Sequence, residues 1–253
     1  MNYIWQHKQW PKFEYDLSNL EEPLKRYAIE TSYLSGSFDH LPIDLQHDAL
    51  IDLMVTEGTN TSFIEGEKVD PEEVRSSIRN QLGLTKNPKT IKDLRAQGIA
   101  ELMIDVRKNY IKPLTASELL SWHKMILLHS EERTDIKIGA YRVGKDPMQI
   151  ISGALGKEKI HFEAPPSSRV EQEMDEFIAW FNQSITLPGP IRAAIAHLYF
   201  ECIHPFDDGN GRIGRALVEK ILSQDQKRPV VLSLSSVIEK NKRAYYEELS
   251  YAS

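Results

Sequence analysis

A twelve-residue run late in the chain constrains the fold and the chemistry of this protein more than any other feature. The run reads HPFDDGNGRIGR and extends from His204 to Arg215. An apolar stretch with helical spacing, opened by Pro190, precedes it, and another follows from about Ile213. The run is therefore predicted to be a tight loop between two helices, in which glycines let the backbone approach a ligand closely.

The glycines and arginines of this loop are suited to bind a polyphosphate. The amides around Gly209 and Gly211 are expected to converge at the N-terminus of the following helix, where N–H donors and the helix dipole both attract phosphate. Arg212 and Arg215 lie about one helical turn apart and add charge-assisted contacts to phosphate oxygens. We therefore predict an anion-binding site at the start of this helix.

Two other side chains of the loop supply metal-binding and acid–base chemistry. Asp208 is an oxygen ligand suited to Mg²⁺, which proteins usually hold with few carboxylates plus substrate phosphates. His204 has a reference pKa of about 6.5, suited to accept a proton from a hydroxyl near neutral pH. The loop is not a P-loop, because Gly-x-x-x-x-Gly-Lys-Ser/Thr is missing, and its acidic residues lack the alternate spacing of an EF-hand.

The composition is that of a globular protein. The chain has 253 residues, of which 41% are hydrophobic and 27% are charged, with a formal net charge of -6. This charge argues against direct nucleic-acid binding, which requires a basic face. The single cysteine, Cys202, excludes an intrachain disulfide and suits a reducing compartment. With neither a signal pattern nor a membrane-spanning stretch in the sequence, we predict a cytoplasmic protein.

Periodicity predicts a mainly α protein with one small β-hairpin. Helix-start signals of the capping-box type begin at Asp70, Thr115 and Ser168. Only residues 149–151 and 159–162, around the turn-rich segment 152–156, read as strands. A lone hairpin is barely stable in water, so it must lean on the helices. Trp5, Trp10 and Phe13 are expected to lie on the body as part of an N-terminal strap.

The loop resembles the signature of Fic-domain proteins, His-x-Phe-x-Asp/Glu-Gly-Asn-Gly-Arg-x-x-Arg, and matches it at every defined position. Residues 114–127, 139–142, 150–162 and 191–203 resemble other parts of that family. The resemblance implies a Fic-type helical bundle with a small β-hairpin flap beside the active-site loop. It also implies protein adenylyltransferase activity, in which AMP passes from ATP to a Tyr, Ser or Thr hydroxyl of a target protein.

The resemblance further implies a role for each loop residue. His204 is the base that deprotonates the target hydroxyl, Asp208 holds Mg²⁺ on the phosphates, and the buried Phe206 anchors the loop. The flap clamps the target backbone by strand addition. Related toxins of the Doc type transfer phosphate instead, but they usually alter the Gly-Asn-Gly part that this chain keeps. The implied nucleotide-binding residues are Gly209, Asn210, Gly211, Arg212 (near the β-phosphate) and Arg215 (at the γ-phosphate).

A second motif, Thr61-Ser62-Phe63-Ile64-Glu65-Gly66, resembles the inhibitory motif of Fic proteins, Ser/Thr-x-x-x-Glu-Gly/Asn. Thr61 and Glu65 are four residues apart and share a helix face. The resemblance implies that Glu65 pairs with Arg215 and so occupies the guanidinium that would hold the γ-phosphate. Two simpler interpretations remain open: Glu65 could be a surface carboxylate at a helix end, or it could form an ordinary capping pair with Ser62.

The sequence suggests two regions: an N-terminal helical region, 1–110, which carries Thr61–Gly66, and a Fic core, 111–253, beyond which a C-terminal domain could follow. The expected partners are ATP, Mg²⁺ and a target protein, without membrane; a homodimer is left open. Two other functions remain, a phosphodiesterase that removes AMP from modified protein and a nucleotide-binding regulatory module. We expect structural roles for His123, His161, His197 and Cys202.

Overall fold

The computed structural model describes residues 3–127, 136–152 and 159–253. These residues form ten α-helices, two 3-10 helices (Ile4–Gln6 and Ser184–Thr186) and a two-stranded antiparallel sheet. The mainly α class with one hairpin is thereby confirmed. The helices are α1 (Glu21–Asp39), α2 (Ile43–Ile64), α3 (Pro71–Gln81), α4 (Leu94–Asn109), α5 (Ala116–Leu127), α6 (Ser167–Gln183), α7 (Gly189–Ile203), α8 (Asn210–Gln226), α9 (Leu234–Lys240) and α10 (Lys242–Ala252), and the strands are β1 (Gln149–Ser152) and β2 (Lys159–Glu163).

Helix α8 lies at the centre of the bundle and is buried over most of its length. It packs against α7 and α4, although its own sequence is rich in charge. The burial is possible because its charged groups are paired: Lys220 Nζ lies 2.9 Å from Glu118 Oε1, and Glu219 Oε1 lies 2.7 Å from Arg107 Nε. The N-terminus of this buried helix is where the sequence places the anion site.

Helix α2 carries the second motif into the bundle. It packs against α3, α4, α8 and α9 and buries Ile51, Met54 and Val55. One continuous hydrophobic core includes residues of both predicted regions, from Ile51 to Val230. The C-terminal end of α2 is therefore packed against the N-terminal half of α8.

The N-terminal residues form the expected strap across α6, α7 and the hairpin. Trp5 Nε1 donates to the backbone carbonyl of Glu163 at 2.6 Å, and Trp10 Nε1 donates to Glu173 Oε2 at 2.7 Å. The Trp10 ring also meets Tyr199 edge to face, with ring centroids 4.9 Å apart. The strap thus anchors strand β2 to the helices.

The hairpin pairs β1 with β2, with a bulge between Ile150 and Ile151 that leaves His161 as the extra residue of β2. Phe162 is buried against a small cluster that includes Cys202 of α7. The hairpin thus leans on α7, as its marginal stability requires. The predicted turn lies, from residue 153 onward, outside the described residues.

The helix-start signals are partly correct. Asp70 caps α3 through its side chain, and Thr115 Oγ1 accepts from the backbone N–H of Glu118 at 3.1 Å. Glu73 does not close a capping box, because its carboxylate instead accepts from the backbone N–H groups of residues 92 and 93. Ser168 is not a cap, since α6 begins one residue earlier without a side-chain cap. Within the described ranges, no helix has the length and apolar character needed to cross a bilayer.

Candidate active site

Left-handed residues mark both ends of the loop between α7 and α8. At the end of α7, His204 adopts φ 49° and ψ 61°, and its N–H bonds to the carbonyl of Phe200 at 2.9 Å. Gly209, with φ 84°, is the N-cap of α8, which begins at Asn210 rather than near Ile213 as predicted. The chain therefore reverses within five residues, and the first amides of α8 face the space beside His204.

Two side chains of the loop hold its shape from the inside. Phe206 is fully buried, as predicted, and stacks on His123 with ring centroids 4.2 Å apart. Asn210 Oδ1 accepts from the Phe206 N–H at 3.0 Å, and its Nδ2 donates to the Phe206 carbonyl at 2.8 Å. The Asn210 side chain, which was expected to bind phosphate, thus closes the loop in this structure.

His123 supports the loop as a structural residue. Its Nδ1 accepts from the N–H of Gly139 at 2.8 Å, so its Nε2 carries the hydrogen that faces the carbonyl of Asp208 at 3.2 Å. Burial lowers the pKa of His123 to about 4, which keeps the ring neutral. The expected structural role of His123 agrees with this geometry.

Arg142 clamps the C-terminal end of α7 and was not identified from the sequence. Its Nε donates to the carbonyl of His204 at 2.7 Å, and its Nη2 donates to the carbonyls of Ile203, at 3.2 Å, and Pro165. The guanidinium is buried and stays charged, although burial lowers its pKa. It compensates the negative end of the helix dipole where the loop leaves α7.

The His204 ring is mostly buried but lines the main cavity. Burial and the charge of Arg142 lower its pKa to about 4, so it is a neutral imidazole at neutral pH. Its Nδ1 lies 3.7 Å from Glu201 Oε2. Burial, together with the nearby charge of Glu65, raises the pKa of Glu201 to about 8, so this neighbour is also neutral at pH 7. A neutral imidazole is the form that can accept a proton.

Arg215 is held by the second motif. Its Nε donates to Thr61 Oγ1 at 2.7 Å, and its Nη2 donates to the Thr61 carbonyl at 3.0 Å and to Glu65 Oε1 at 2.7 Å. Only 1% of the Arg215 side chain is exposed. Burial would lower the pKa of Arg215, but Glu65, together with Tyr245 and Glu201, outweighs this effect and the pKa is raised. The pairing expected between Glu65 and Arg215 is thus present in the geometry.

The Glu65 carboxylate lies directly over the start of α8. Glu65 is the C-cap of α2, and Gly66, with φ 86°, turns the chain away after it. A Cβ added at Gly211 would lie only 2.1 Å from Glu65 Oε1. Glu65 is thus an exposed residue at the end of α2, but its carboxylate is paired with Arg215. It is not half of a capping pair with Ser62, because Ser62 Oγ donates to the Gly58 carbonyl at 2.9 Å.

Arg212 also has acidic partners. Its Nη1 contacts Glu67 Oε2 at 2.7 Å, and its Nη2 contacts Asp208 Oδ1 at 3.4 Å. Glu67 was not identified from the sequence, and no local pattern pointed to it. Asp208 Oδ1 also accepts from the Gly209 N–H, and 30% of its side chain is exposed in the cavity wall. No group of three or more potential metal ligands occurs among the described residues, but one carboxylate fits Mg²⁺ held mainly by phosphates.

A cavity of about 1000 Å³ is lined by His204, Asp208, Glu65 and the residues from Gly209 to Gly211, whereas the guanidinium groups of Arg212 and Arg215 do not line it. Its walls come from the loop, the hairpin, α7, Glu65 and α10. The hairpin therefore lies beside the loop, as expected of a flap. Helix α10 is an unforeseen wall: Tyr245 and Tyr246 line the cavity, and the Tyr245 hydroxyl lies 2.6 Å from Nε2 of the buried His197. The sequence did not indicate that these two tyrosines line the cavity, because they lie far from the loop along the chain.

Comparison with known proteins gives two family matches and several relatives. Residues 3–84 match a domain of unknown function, DUF4172, and residues 113–222 match the Fic/DOC family. Protein adenylyltransferase fic-1 of Caenorhabditis elegans is 38% identical over 85 residues, 33% of this chain and 16% of that protein. Protein adenylyltransferase Fic of Nematostella vectensis is 28% identical over 142 residues, 55% of this chain and 29% of that protein. The chain thus spans less than a third of these curated relatives.

Solved structures share the fold. A Fic family protein from Desulfovibrio desulfuricans G20 gives a TM-score of 0.66 at 22% identity, covering 95% of this chain and 69% of that one. A Fic domain containing signaling protein from Bacteroides thetaiotaomicron VPI-5482 gives 0.66 at 21% identity, covering 89% and 80%. The match over residues 113–222, together with the shared fold, leads to one conclusion: these residues form a Fic/DOC-family domain.

Proposed function

We propose that this chain is a protein adenylyltransferase that transfers AMP from ATP to a hydroxyl of a target protein. The observation that carries the proposal is the placement of a neutral His204 in the same cavity as the glycine-lined N-terminus of α8. A binding module has no need of a base beside its anion site. The curated relatives, which are named protein adenylyltransferases, support the same activity.

In the proposed reaction, His204 accepts the proton of the target hydroxyl while the hydroxyl oxygen attacks the α-phosphorus of ATP. A phosphodiester bond to the target forms, the bond between the α-phosphorus and the bridging oxygen breaks, and pyrophosphate leaves. The first amides of α8, from Gly209 to Gly211, stabilise charge on the phosphates, and Arg212 and Arg215 bind the leaving group. Asp208 would hold Mg²⁺, which neutralises phosphate charge when bound.

We further propose that the chain is autoinhibited by Glu65. Its carboxylate holds Arg215 and lies over Gly211, where nucleotide phosphates would contact the helix N-terminus. Phosphate and carboxylate compete for the same donors, so productive binding requires Glu65 to leave. Thr61 and Gly66 complete the inhibitory segment by fixing Arg215 and ending α2.

The hairpin is the proposed docking edge for the target. Ile150 and Ile160 are each about two-fifths exposed on it, and Ile150 also lines the cavity. An extended target segment could add to this two-stranded sheet and so present its hydroxyl to His204. We place the reaction in the cytoplasm, where ATP is available and the buried Cys202 stays reduced.

Incubation of the purified chain with Mg²⁺ and either α-³²P-ATP or γ-³²P-ATP tests the proposal. We expect weak self-labelling from α-³²P by the intact chain, stronger labelling by Glu65→Gly, and none by Glu65→Gly combined with His204→Ala. Label from γ-³²P instead would make the enzyme a kinase. Equal labelling by the intact chain and Glu65→Gly would contradict autoinhibition by Glu65. Labelling by the variant that lacks His204 would contradict the role of His204 as the base.

A phosphodiesterase that removes AMP from modified protein is the second candidate. The observation that favours it is that Glu65 lines the same cavity as His204, where a carboxylate could activate a water. An AMP-modified target incubated with the chain separates the two directions. Release of AMP by the intact chain, lost in Glu65→Gly, would assign the reverse reaction.

A further inference from the structure

The segment that ends α2 carries two carboxylates toward α8. Glu65 occupies Arg215, and Glu67 occupies Arg212, each with an oxygen–nitrogen distance of 2.7 Å. Glu67 lies beyond the Thr61–Gly66 motif, so its contact with Arg212 is a separate observation. Both arginines are buried, with 3% or less of their side chains exposed.

A turn at Gly66 makes this double contact possible. The Glu67 N–H bonds back to the Ser62 carbonyl at 3.0 Å, and Gly66 takes the positive φ that the turn requires. The carboxylates of Glu65 and Glu67 can therefore both face α8. The arginines at positions 212 and 215 are one helical turn apart on α8, so both can be met at once.

Each of the two arginines has a side-chain nitrogen that is not hydrogen-bonded to any described residue. Arg212 Nε and Arg215 Nη1 are buried and have no hydrogen-bond partner within the part of the chain that the structure describes. Buried guanidinium donors without a partner are costly. A polyphosphate offers more acceptor oxygens than two carboxylates do, so it could satisfy donors that the glutamates leave unmatched.

We propose that the segment Glu65–Glu67 mimics the two outer phosphates of the nucleotide, with Glu67 holding Arg212 as Glu65 holds Arg215. This inference rests on the proposed function, because it takes the two arginines as the binding site of the β- and γ-phosphates. Glu67 is then a second inhibitory carboxylate, and the segment competes with ATP through charge at two points.

The mimicry predicts discrimination between nucleotides. ATP must displace both carboxylates, whereas AMP lacks the two outer phosphates and leaves both pairs in place. Removing the charge of Glu67 should therefore strengthen ATP binding and leave AMP binding unchanged. Had Glu67 instead oriented Arg212 for the phosphates, its removal would weaken ATP binding.

Calorimetric titration of the full chain with Mg-ATP and with AMP tests this. We expect Glu67→Gln to lower the Kd for Mg-ATP about three- to tenfold and to leave the Kd for AMP unchanged. Glu72→Gln is the matched control, because Glu72 is an exposed carboxylate five positions along the chain that pairs with Arg75 and not with either arginine of α8. It should change neither constant. Glu67→Ala should give the same pattern as Glu67→Gln, and thermal unfolding verifies that each variant is folded.

An unchanged or raised Kd for Mg-ATP in Glu67→Gln would overturn the mimicry, as would an equal gain for AMP. The α-³²P assay separates this failure from that of the proposed function. If Glu65→Gly is labelled but Glu67→Gln shows no shift in ATP affinity, only the proposed role of Glu67 is contradicted. If Glu67→Gln shows the affinity shift but no variant is labelled, the phosphate mimicry is supported and the proposed transferase activity is contradicted.

Discussion

Arg142 Nε donates to the carbonyl oxygen of His204 at 2.7 Å across 62 positions of sequence. The proposed base is therefore oriented through its backbone, at the point where α7 ends, by a residue of a different segment. Since Arg142 also bonds Ile203 and Pro165, one buried guanidinium fixes three carbonyls around the loop. The position of the imidazole thus depends on a residue that does not line the cavity.

Arg142→Lys should disturb this arrangement. Lysine cannot reproduce the planar fork, so at least one buried carbonyl loses its donor, at a cost of about 2 kcal/mol. In the Glu65→Gly background we expect labelling to fall at least tenfold, with a lower Tm. The control, Arg26→Lys, changes an exposed arginine of α1 and should alter neither. Labelling unaffected by Arg142→Lys would show that the clamp does not position His204.

Thr61→Val should weaken the hold on Arg215 without touching a carboxylate. The substitution keeps the shape of the side chain but removes the oxygen that accepts from Arg215 Nε. We expect self-labelling to rise a few fold, less than in Glu65→Gly, because the Glu65 contact persists. The matched control is Thr56→Val, an exposed threonine of α2 whose hydroxyl bonds only within the helix. Labelling at or below the wild-type level would contradict a restraining role for Thr61.

Gly211→Ala should reveal the contact between Glu65 and the start of α8. The added Cβ would lie 2.1 Å from Glu65 Oε1, so the carboxylate must move. We expect Gly211→Ala to lower the free energy of unfolding by about 1 kcal/mol more in the wild-type chain than in Glu65→Gly. Denaturant titration of the wild-type chain, the two single variants and the double variant measures this coupling. Additive effects would mean that the carboxylate does not rest on Gly211.

Glu201→Gln should change how stability depends on pH. The folded-state pKa of Glu201, about 8, lies above that of an unfolded glutamate. Folding must therefore take up a proton between about pH 4.5 and 8, and wild-type stability falls as pH rises through this window. Glutamine stays neutral, so the Tm of the variant relative to wild type should rise from pH 5 to 8 by roughly 4 °C or more and then level off. A constant difference would contradict a neutral Glu201.

The sequence predicted the helices, the hairpin and the loop because each leaves a local pattern. The glycines, the two arginines and His204 are close in sequence and share one chemical task, so their spacing was informative. The roles of Arg142, Glu67 and Tyr245 could not be predicted in this way. Each depends on a partner far along the chain, and packing rather than spacing decides which buried charge finds which partner.

The same physics explains the errors in the capping predictions. Glu73 fits the local pattern of a capping box, but its carboxylate accepts hydrogen bonds from the backbone N–H groups of residues 92 and 93 instead. In the same way, the local pattern around Asn210 did not indicate that its side-chain amide bonds the backbone of Phe206 on both sides. A side chain with several possible partners bonds to those that the tertiary fold brings nearest.

The left-handed backbone of His204 sets chemistry against folding at one position. A side chain at φ 49° destabilises the fold by roughly 1 kcal/mol relative to glycine, which adopts that region freely. Replacing His204 with glycine should therefore relieve this backbone strain and leave a protein with no base. The residue that the backbone would prefer there is one that cannot carry a proton.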